Sequence, residues 1–197
     1  MSKKQYNILA SKSKRRIEIL KLIKFDFSTQ QSNIKEHFNL QLPPEAFAEH
    51  WAREKAKDVS KINPNALIIG ADTIVVQDSK ILGKPKNKLE SISMLHSLSG
   101  RTHKVVTGVS FIHVGLKLDI TFNDTTSVSV NKLKEDDILK YIRDYNPYDK
   151  AGSYGIQDGF SIHVNSITGC YYNVMGLPVS KFNSIFQKIK ELIYKSD

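Results

Sequence analysis

The chain contains 197 residues with a net charge of +9, 40% hydrophobic residues and 25% charged residues. This composition excludes a mainly disordered protein, and the length predicts one domain, or one domain with two lobes. The longest apolar stretch, Ala66–Ala71, is far shorter than the ~20 residues of a membrane-spanning helix. No signal-peptide core follows the first lysines, so we expect a cytoplasmic protein without a membrane partner. A lone cysteine, Cys170, disfavours a disulfide scaffold.

Positive charge is concentrated near the start of the chain. Residues 1–24 contain eight basic residues and one acidic residue, Glu18, so this segment alone carries a net charge of +7. Such an excess predicts an anionic partner near the first helix, whether a phosphate group, a nucleic acid or a membrane surface. For Lys3, Lys4, Lys21 and Lys24 ordinary solvent exposure is the simpler interpretation.

Hydrophobic spacing predicts strands and helices that alternate along the chain. The predicted strands are Tyr6–Ala10, a strand around Phe25 and Phe27, Leu67–Val76, Val105–Val114, Leu116–Val130 and Phe160–Val164. The predicted helices follow Ser13, begin at Pro44 and at Asn87, cover Glu135–Tyr145 and close the chain. Leu67–Val76 is apolar on both faces, which predicts a central strand, although Gly70–Thr73 interrupts the run. These elements predict an α/β fold with a mixed sheet.

Local residue types predict the limits of the helix that follows Asn87. Glu90 stands three residues after Asn87, which is the spacing of a helix cap. Gly100 is a suitable residue to end the same helix. Both ends are therefore predicted from residue types as well as from hydrophobic spacing.

The segment Ser11–Arg16 lies where a strand leads into a helix. Free backbone N–H groups, two hydroxyls and the positive end of the helix favour an anion there, and Arg15 could bind a phosphate through its forked guanidinium. The glycine spacing of a P-loop is absent. The alternative is a simple helix cap, formed by Ser13, with a charged first turn.

Asp72 lies within the most apolar predicted strand. A carboxylate in such a position costs several kcal/mol unless a cation, a metal or a proton accompanies it. The alternative is an aspartate at a strand end that accepts hydrogen bonds from nearby N–H groups. The neighbours Gly70 and Thr73 favour a functional role, because glycine permits close approach of a ligand and threonine adds a hydroxyl.

Two lysines and one loop are weaker candidates for ligand binding. Lys55 shares a helix face with Trp51 and Val59, and in isolation this pattern favours a side chain lying along apolar surface with a solvated amine. Lys84 stands in a turn and would contact phosphate only if that turn faces a cleft. Residues 149–157 form a glycine-containing loop of a composition common to nucleotide loops and ordinary surface loops.

Seven motifs occur in one order along the chain, and together they resemble the Maf family of nucleoside triphosphate pyrophosphatases from about Tyr6 to the final helix. They are Ser11–Arg16, Arg53–Ala56, Gly70–Thr73 with Gly83–Pro85, Leu98–His103 with Thr107–Val109, Asp149–Gly152, Tyr154–Gln157 and Tyr172–Pro178. Each motif alone is weak evidence, but their common order and spacing identify the chain as similar to this family.

The resemblance implies an enzyme that cleaves a nucleoside triphosphate to a monophosphate and pyrophosphate. It implies a single Maf-like domain over residues 1–197, with a bent mixed sheet flanked by helices and two lobes around a central cleft, as in Maf and inosine triphosphatase folds. It further implies a divalent cation, Mg²⁺ or Mn²⁺, as cofactor. The implied site has Asp72 as general base, substrate-binding residues Ser13, Arg15, Lys55, Thr73, Lys84 and Gln157, and metal ligands Asp72 and Glu36.

Three positions depart from the family pattern. Lys14 stands where the family usually has proline, and Asp158 where it usually has glycine. In the acidic segment after the second strand, residues 33–36 retain only Glu36, and Lys35 stands beside it. The third departure bears on metal affinity, because it leaves one carboxylate where the family tends to have several.

The resemblance also implies a pyrimidine base, since Thr73 together with Tyr154–Gln157 matches the branch acting on dTTP and UTP. The Gln157 amide has a donor and an acceptor that suit uracil and thymine, but the same amide turned over suits cytosine. Two alternatives are an enzyme for other modified nucleotides and a non-catalytic nucleic-acid-binding or regulatory protein; a nucleic-acid partner is not expected. The sequence leaves the choice between monomer and homodimer open.

Overall fold

The computed structural model describes residues 7–37 and 40–194. Tyr6, at the start of the first predicted strand, and Lys3 and Lys4 of the basic segment lie outside the described residues. Within the described part of the chain, no helix is long and apolar enough to cross a membrane.

The described residues form seven strands and six α-helices. The strands are β1 Asn7–Leu9, β2 Ser28–Thr29, β3 Leu67–Gln77, β4 Lys80–Leu82, β5 Thr102–His113, β6 Leu118–Val130 and β7 Val164–Thr168. The helices are α1 Lys14–Leu22, α2 Pro44–Ser60, α3 Lys88–Leu98, α4 Glu135–Tyr145, α5 Tyr171–Met175 and α6 Val179–Tyr194. Short 3₁₀ turns cover Pro147–Asp149, Ala151–Ser153 and Gly159–His163.

All seven strands belong to one mixed sheet, in the order β2-β1-β3-β5-β6-β7, with β4 also paired to β3. β1 runs parallel to β2 and to β3, and the remaining pairs are antiparallel. The prediction of a mixed sheet flanked by helices is confirmed. So is the central position of Leu67–Val76, because every β3 residue except Thr73 is buried.

One edge of β3 is paired only at its two ends. β5 pairs with the opposite edge from Ile68 to Val76. On this edge β1 pairs with residues 67–69 and β4 with residues 75–77. Among the described strands, none pairs with Gly70–Ile74 on this edge. The prediction that Gly70–Thr73 interrupts the strand is therefore wrong, because β3 continues through these residues. What is interrupted is the pairing of β3 with neighbouring strands on this edge.

The two faces of the sheet carry separate cores. On one face α2 packs over β3 and β5, through Ala56 and Val59 near one end of the helix and Phe47 and Trp51 near the other. On the opposite face one cluster joins α1 and α6 to Ile69 and Phe111, and another joins α3 and α4 to Val75 and Val105. Tight contact between α2 and β3 depends on Gly70, because a Cβ atom there would clash with the carbonyl oxygen of Ala52.

Helix caps follow the predicted residue types. The Asn87 side chain accepts a hydrogen bond from the Glu90 N–H at 2.9 Å, and Gly100 follows α3 with a left-handed φ of +69°. Both observations confirm the predicted limits of this helix. The Ser13 side chain caps α1 by accepting from the Arg16 N–H.

Two strand predictions differ from the structure. Residues 25–27 precede the second strand, which covers only Ser28–Thr29. The predicted strand Phe160–Val164 is wrong, because Gly159–His163 is a 3₁₀ turn whose first N–H groups are capped by Asp158. The strand β7 begins at Val164 instead, where the chain returns to pair with β6.

Candidate active site

A cleft of about 590 Å³ opens beside the unpaired edge of β3. It lies between the core formed by α1 and α6 and the core formed by α3 and α4. All eight residues predicted to form the site line this one cleft, namely Ser13, Arg15, Glu36, Lys55, Asp72, Thr73, Lys84 and Gln157. The fold therefore gathers residues that are up to 144 positions apart in the chain.

Lys55 and two carboxylates form a compact group on the α2 side of the cleft. The Lys55 Nζ atom lies 2.7 Å from Asp72 Oδ1 and 2.7 Å from Glu36 Oε1. The side chains of Lys55 and Asp72 are only 12% and 8% exposed. A buried carboxylate requires a compensating cation, and Lys55 supplies it. The simple expectation that Lys55 lies along apolar surface with a solvated amine is wrong, because this amine is held by both carboxylates.

The amino-terminal end of α1 forms the opposite wall of the cleft. Lys14 takes the first helical position. Ser13 caps the helix, and its own N–H donates to Ser11 Oγ at 3.1 Å. The sequence left open whether this segment is a simple helix cap or an anion site. The structure shows a capped helix start that also lines the cleft, so the two interpretations are compatible.

Arg16 is anchored by three separate contacts. Its Nε donates to the Gly176 carbonyl at 2.9 Å, its Nη2 to Thr73 Oγ1 at 3.0 Å and its Nη1 to Ser11 Oγ at 3.4 Å. Burial lowers the pKa of Arg16, while attraction to Asp72 opposes that shift. A guanidinium has five N–H groups, so two remain without a partner among the described residues. Arg16 can therefore present two donors to an anion in the cleft.

Arg15 and Lys150 share a carboxylate, that of Asp149. Arg15 Nη1 lies 3.1 Å from Asp149 Oδ2, and Lys150 Nζ lies 2.8 Å from Asp149 Oδ1. Burial raises the pKa of Asp149, but its contacts with Lys150 and Arg15 outweigh burial and bring that pKa below its usual value. The ion pair of Arg15 is weak, because Asp149 is 66% exposed.

Asp158 directly follows the cleft residue Gln157 and lies outside the cleft lining. Its carboxylate accepts from the Tyr141 hydroxyl at 3.1 and 3.2 Å and from the Phe160 N–H, and it lies 4.0 Å from Lys150 Nζ. Burial, followed by the charge of Asp158, raises the pKa of Tyr141. Tyr141 in turn accepts from the Gly155 N–H at 3.0 Å. Asp158 therefore fixes the turn that follows Gln157.

Lys84 and Gln157 lie at the solvent-exposed part of the cleft. Within residues 7–37 and 40–194, Lys84 has no ion pair and the Gln157 side chain makes no hydrogen bond. Both are available to contact a ligand. The turn that carries Lys84 is held in place because Gly83 accepts from the Gly152 N–H at 3.0 Å.

Several residues that shape this cleft have no individual role predicted from the sequence. Arg16 appeared only as part of a motif, although its contacts with β3 and the segment after α5 are more extensive than those of Arg15. Asp149 and Lys150 were included in a loop without individual roles. The adjacent arginines in Ser11–Arg16 are the available signal, but only the orientation of α1 shows which of them is anchored to β3 and to the segment after α5.

The carboxylates of the cleft supply only part of the ligand set of a divalent cation. Among the described residues no group of three or more acidic, histidine or cysteine side chains is arranged to hold a metal. Asp72 and Glu36, however, direct oxygen atoms at one point, now held by the Lys55 amine. Mg²⁺ in nucleotide sites is bound through one or two carboxylates together with phosphate oxygens. The pair fits such an ion when phosphate supplies the remaining ligands.

A family model described as Maf-like protein matches residues 7–189. A dTTP/UTP pyrophosphatase of Bacillus pumilus (strain SAFR-032) is 46% identical over 174 residues, which cover 88% of this chain and 91% of that protein. A protein of the same description from Chlorobium phaeovibrioides (strain DSM 265 / 1930) is 45% identical over 188 residues, covering 93% and 96%. A solved dITP/XTP pyrophosphatase of Mycobacterium abscessus superposes with a TM-score of 0.46 at 10% identity, covering 95% of this chain and 97% of that chain, a structural similarity too low to indicate a shared function.

Proposed function

The chain belongs to the Maf-like protein family, and on that premise we propose that it hydrolyses dTTP and UTP to the monophosphate and pyrophosphate. The observation that carries the proposal is the pairing, across one cleft, of a buried carboxylate with a cationic helix end. Asp72 stands on one side, compensated by Lys55, and Arg15 and Arg16 stand on the other. The relatives described as dTTP/UTP pyrophosphatases support the same reaction.

Phosphate binding is assigned to the α1 side of the cleft. A triphosphate carries about four negative charges near neutral pH and needs cations and preorganised donors to hold it. The α1 start supplies backbone N–H groups and the Ser13 hydroxyl, and Arg15 and Arg16 supply charge. Lys84 supplies a further positive charge at the exposed part of the cleft. Without substrate, Arg15 forms an ion pair with Asp149, so a phosphate group has to compete with this carboxylate for Arg15.

Asp72 is assigned as the general base. Its Oδ1 is held by Lys55 at 2.7 Å, whereas Oδ2 makes no hydrogen bond with the described residues and can accept one from water. As a water oxygen bonds to phosphorus, its proton passes to Asp72 and the bond between the α- and β-phosphates breaks. Pyrophosphate leaves with the bonding electron pair, and Arg16 and Lys84 stabilise its charge. A positioned base contributes a factor of about 10² to 10⁴.

A divalent cation is part of the proposal, with Asp72 and Glu36 as its protein ligands. When bound, it would supply charge neutralisation of the phosphate oxygens. Because Lys55 now contacts both carboxylates, its amine would have to release one of them to a metal. Lys35, which stands beside Glu36 in the sequence, adds no carboxylate to this group.

The pyrimidine preference is assigned to the loop that contains Gln157. Its amide has no hydrogen-bond partner among the described residues, so it can pair with the N3–H and a carbonyl of uracil or thymine. A base of the wrong hydrogen-bond polarity would leave the groups that it covers unpaired and shielded from water, at about 1 to 3 kcal/mol each. Because the amide can turn over, fixed backbone groups nearby must exclude cytosine.

Pyrophosphate release from a nucleotide panel tests this function. The purified chain is assayed with dTTP, UTP, CTP, GTP and 7-methyl-GTP, with Mg²⁺, with Mn²⁺ and with chelator, and both pyrophosphate and inorganic phosphate are quantified. We expect dTMP and pyrophosphate in equal amounts, a higher kcat/KM for dTTP and UTP than for any purine nucleotide, and loss of turnover in chelator. Asp72→Asn protein purified in parallel supplies the background rate.

Different outcomes test the base preference, the metal requirement and the reaction separately. A purine preference would overturn the base assignment and leave the pyrophosphatase reaction standing, and full activity in chelator would overturn the metal. A cytoplasmic location is also part of the proposal, to be tested by cell fractionation, and light scattering decides between a monomer and a homodimer. Turnover of a modified pyrimidine triphosphate far above that of dTTP would favour the alternative of an enzyme for modified nucleotides.

A further inference from the structure

A chain of hydroxyl groups runs from Arg16 into the protein interior. Arg16 Nη2 donates to Thr73 Oγ1 at 3.0 Å, Thr73 Oγ1 lies 3.0 Å from Thr107 Oγ1, and Thr107 donates to the Asn173 carbonyl at 3.0 Å. Thr107 and Asn173 are fully buried. Thr107 does not line the cleft and cannot contact a ligand directly.

The proton positions in this chain are fixed by elementary rules. A carbonyl only accepts, so the single hydroxyl proton of Thr107 is committed to Asn173. Thr107 must then accept from Thr73, which commits the single proton of Thr73 as well. The Thr73 oxygen can therefore only accept, and Arg16 is the donor it accepts from. Thr73 has no proton left to donate to a substrate.

Sheet register explains why the two hydroxyls meet. Thr73 and Thr107 are direct partners across β3 and β5, so their side chains project from the same face. The two ends of the hydroxyl chain contact one segment of the protein, Asn173–Gly176. Thr107 donates to the Asn173 carbonyl, and Arg16 Nε donates to the Gly176 carbonyl three residues later. The guanidinium is therefore tied to this segment twice, once directly and once through two hydroxyls.

We propose that Thr107 is a positioning residue, which acts through Thr73 to fix the Arg16 guanidinium so that its two free N–H groups face the substrate phosphates. The inference rests on the proposed function, since it assigns Arg16 to phosphate. Without the Thr107 hydroxyl, the Thr73 proton can turn towards the cleft, and Arg16 loses a fixed acceptor. Preorganised donors stabilise developing charge more than ground-state charge, so kcat should fall more than KM rises.

The test compares Thr107→Val, which keeps the shape and removes the hydroxyl, with Thr107→Ser, which keeps the hydroxyl. Thr121→Val is the matched control, because it removes a 3.0 Å hydroxyl contact with Ser110 on the neighbouring strand pair, away from the cleft. We expect kcat for dTTP to fall about 10- to 100-fold in Thr107→Val, with near wild-type rates in the other two variants. In an Arg16→Lys background, Thr107→Val should cause no further loss.

Wild-type kcat in Thr107→Val, or an equal loss in the Arg16→Lys background, would overturn the inference and leave the proposed function intact. Should Thr107→Val fail to fold, Thr73→Val breaks the same chain at its cleft end, and a wild-type kcat there overturns the inference equally. If the wild-type protein hydrolyses no nucleoside triphosphate, the proposed function fails instead. Calorimetric binding of inorganic tripolyphosphate then tests the chain: about tenfold weaker binding in Thr107→Val than in Thr107→Ser supports it, and equal binding overturns it.

Discussion

Asp72 and Thr73 are neighbours in β3, but the alternation of a strand places their side chains on opposite faces of the sheet. Asp72 lies beneath α2 in a group of full charges, with Lys55 and Glu36 at 2.7 Å. Thr73 lies on the other face, in a neutral hydroxyl chain that ends at a backbone carbonyl. Both side chains reach the same cleft because one edge of β3 is unpaired from Gly70 to Ile74, a segment that includes both residues.

The comparison shows two ways to hold a polar group inside a protein. On the α2 face, a buried charge is balanced by an opposite charge, so removing either partner leaves an uncompensated ion. On the opposite face, direction rather than charge is fixed, because each hydroxyl has one proton to give. Changes to the charged group of Lys55, Asp72 and Glu36 should therefore alter stability and activity together, whereas changes to the hydroxyl chain should mainly alter activity.

The largest effect on stability is expected from Lys55→Met, which leaves Asp72 without its cation. We expect the free energy of unfolding to fall by about 3 to 5 kcal/mol. Lys57→Met on the same helix is the matched control, because Lys57 pairs with Glu54 at the surface and should cost about 1 kcal/mol or less. Urea denaturation measures both. Equal costs in the two variants would contradict the description of the α2 face.

A pH-dependent effect sharpens the description of the opposite face, which also carries His103. Burial lowers the pKa of His103 to about 4, so this residue is neutral in the folded protein at pH 7. The unfolded chain binds a proton near pH 6.5, so the free energy of unfolding should fall as pH drops from about 6.5 to 4, by about 3 kcal/mol in total. Denaturation across this range, compared between wild type and His103→Gln, measures it. An unchanged pH slope in the variant would contradict the assignment.

Close contact between α2 and β3 is tested by Gly70→Ala. The added Cβ would clash with the Ala52 carbonyl, so α2 must move away from β3 and carry Lys55 with it. We expect a loss of about 1 to 3 kcal/mol in the free energy of unfolding, with reduced kcat. Gly115→Ala is the control, since the atom nearest to its Cβ would be Asn65 Oδ1, at 3.2 Å. A stable, fully active Gly70→Ala protein would show that α2 can shift without consequence.

The smallest effect is expected from Arg15→Ala, compared with Arg16→Ala. Arg15 pairs at the surface with Asp149, so its loss should cost about 1 kcal/mol or less in stability. Its contribution to kcat/KM should also be smaller, because only Arg16 is fixed by three contacts. Steady-state kinetics with dTTP ranks the two. A larger loss in Arg15→Ala would reverse the assignment of these arginines.

Elements with strong local signals could be predicted from the sequence. The cap at Asn87, the helix Glu135–Tyr145 and the buried central strand each depend on neighbouring residues, and the structure confirms them. The strand predicted at Phe160–Val164 was wrong because alternating apolar residues also occur in a 3₁₀ turn, and the cap at Asp158 decides between the two.

The partners within the site could not be predicted in the same way. The helix face on which Lys55 lies can be predicted from the sequence. Its carboxylate partners cannot, because they come from β3 and from an irregular segment without hydrophobic periodicity. The motif Thr107–Val109 gives no individual role for Thr107, because that role depends on strand register and on the approach of the segment Asn173–Gly176. Long-range pairing of this kind is not encoded in any local window of the sequence.

The most direct test of the proposed function is the kcat of Asp72→Asn for dTTP, measured beside Asp119→Asn. Asp119 pairs with Arg53 outside the cleft, so it controls for the loss of a paired carboxylate in the same sheet. We predict a fall in kcat of about 10² to 10⁴ for Asp72→Asn and near wild-type turnover for Asp119→Asn. Wild-type turnover by folded Asp72→Asn protein would contradict the assignment of Asp72 as the base.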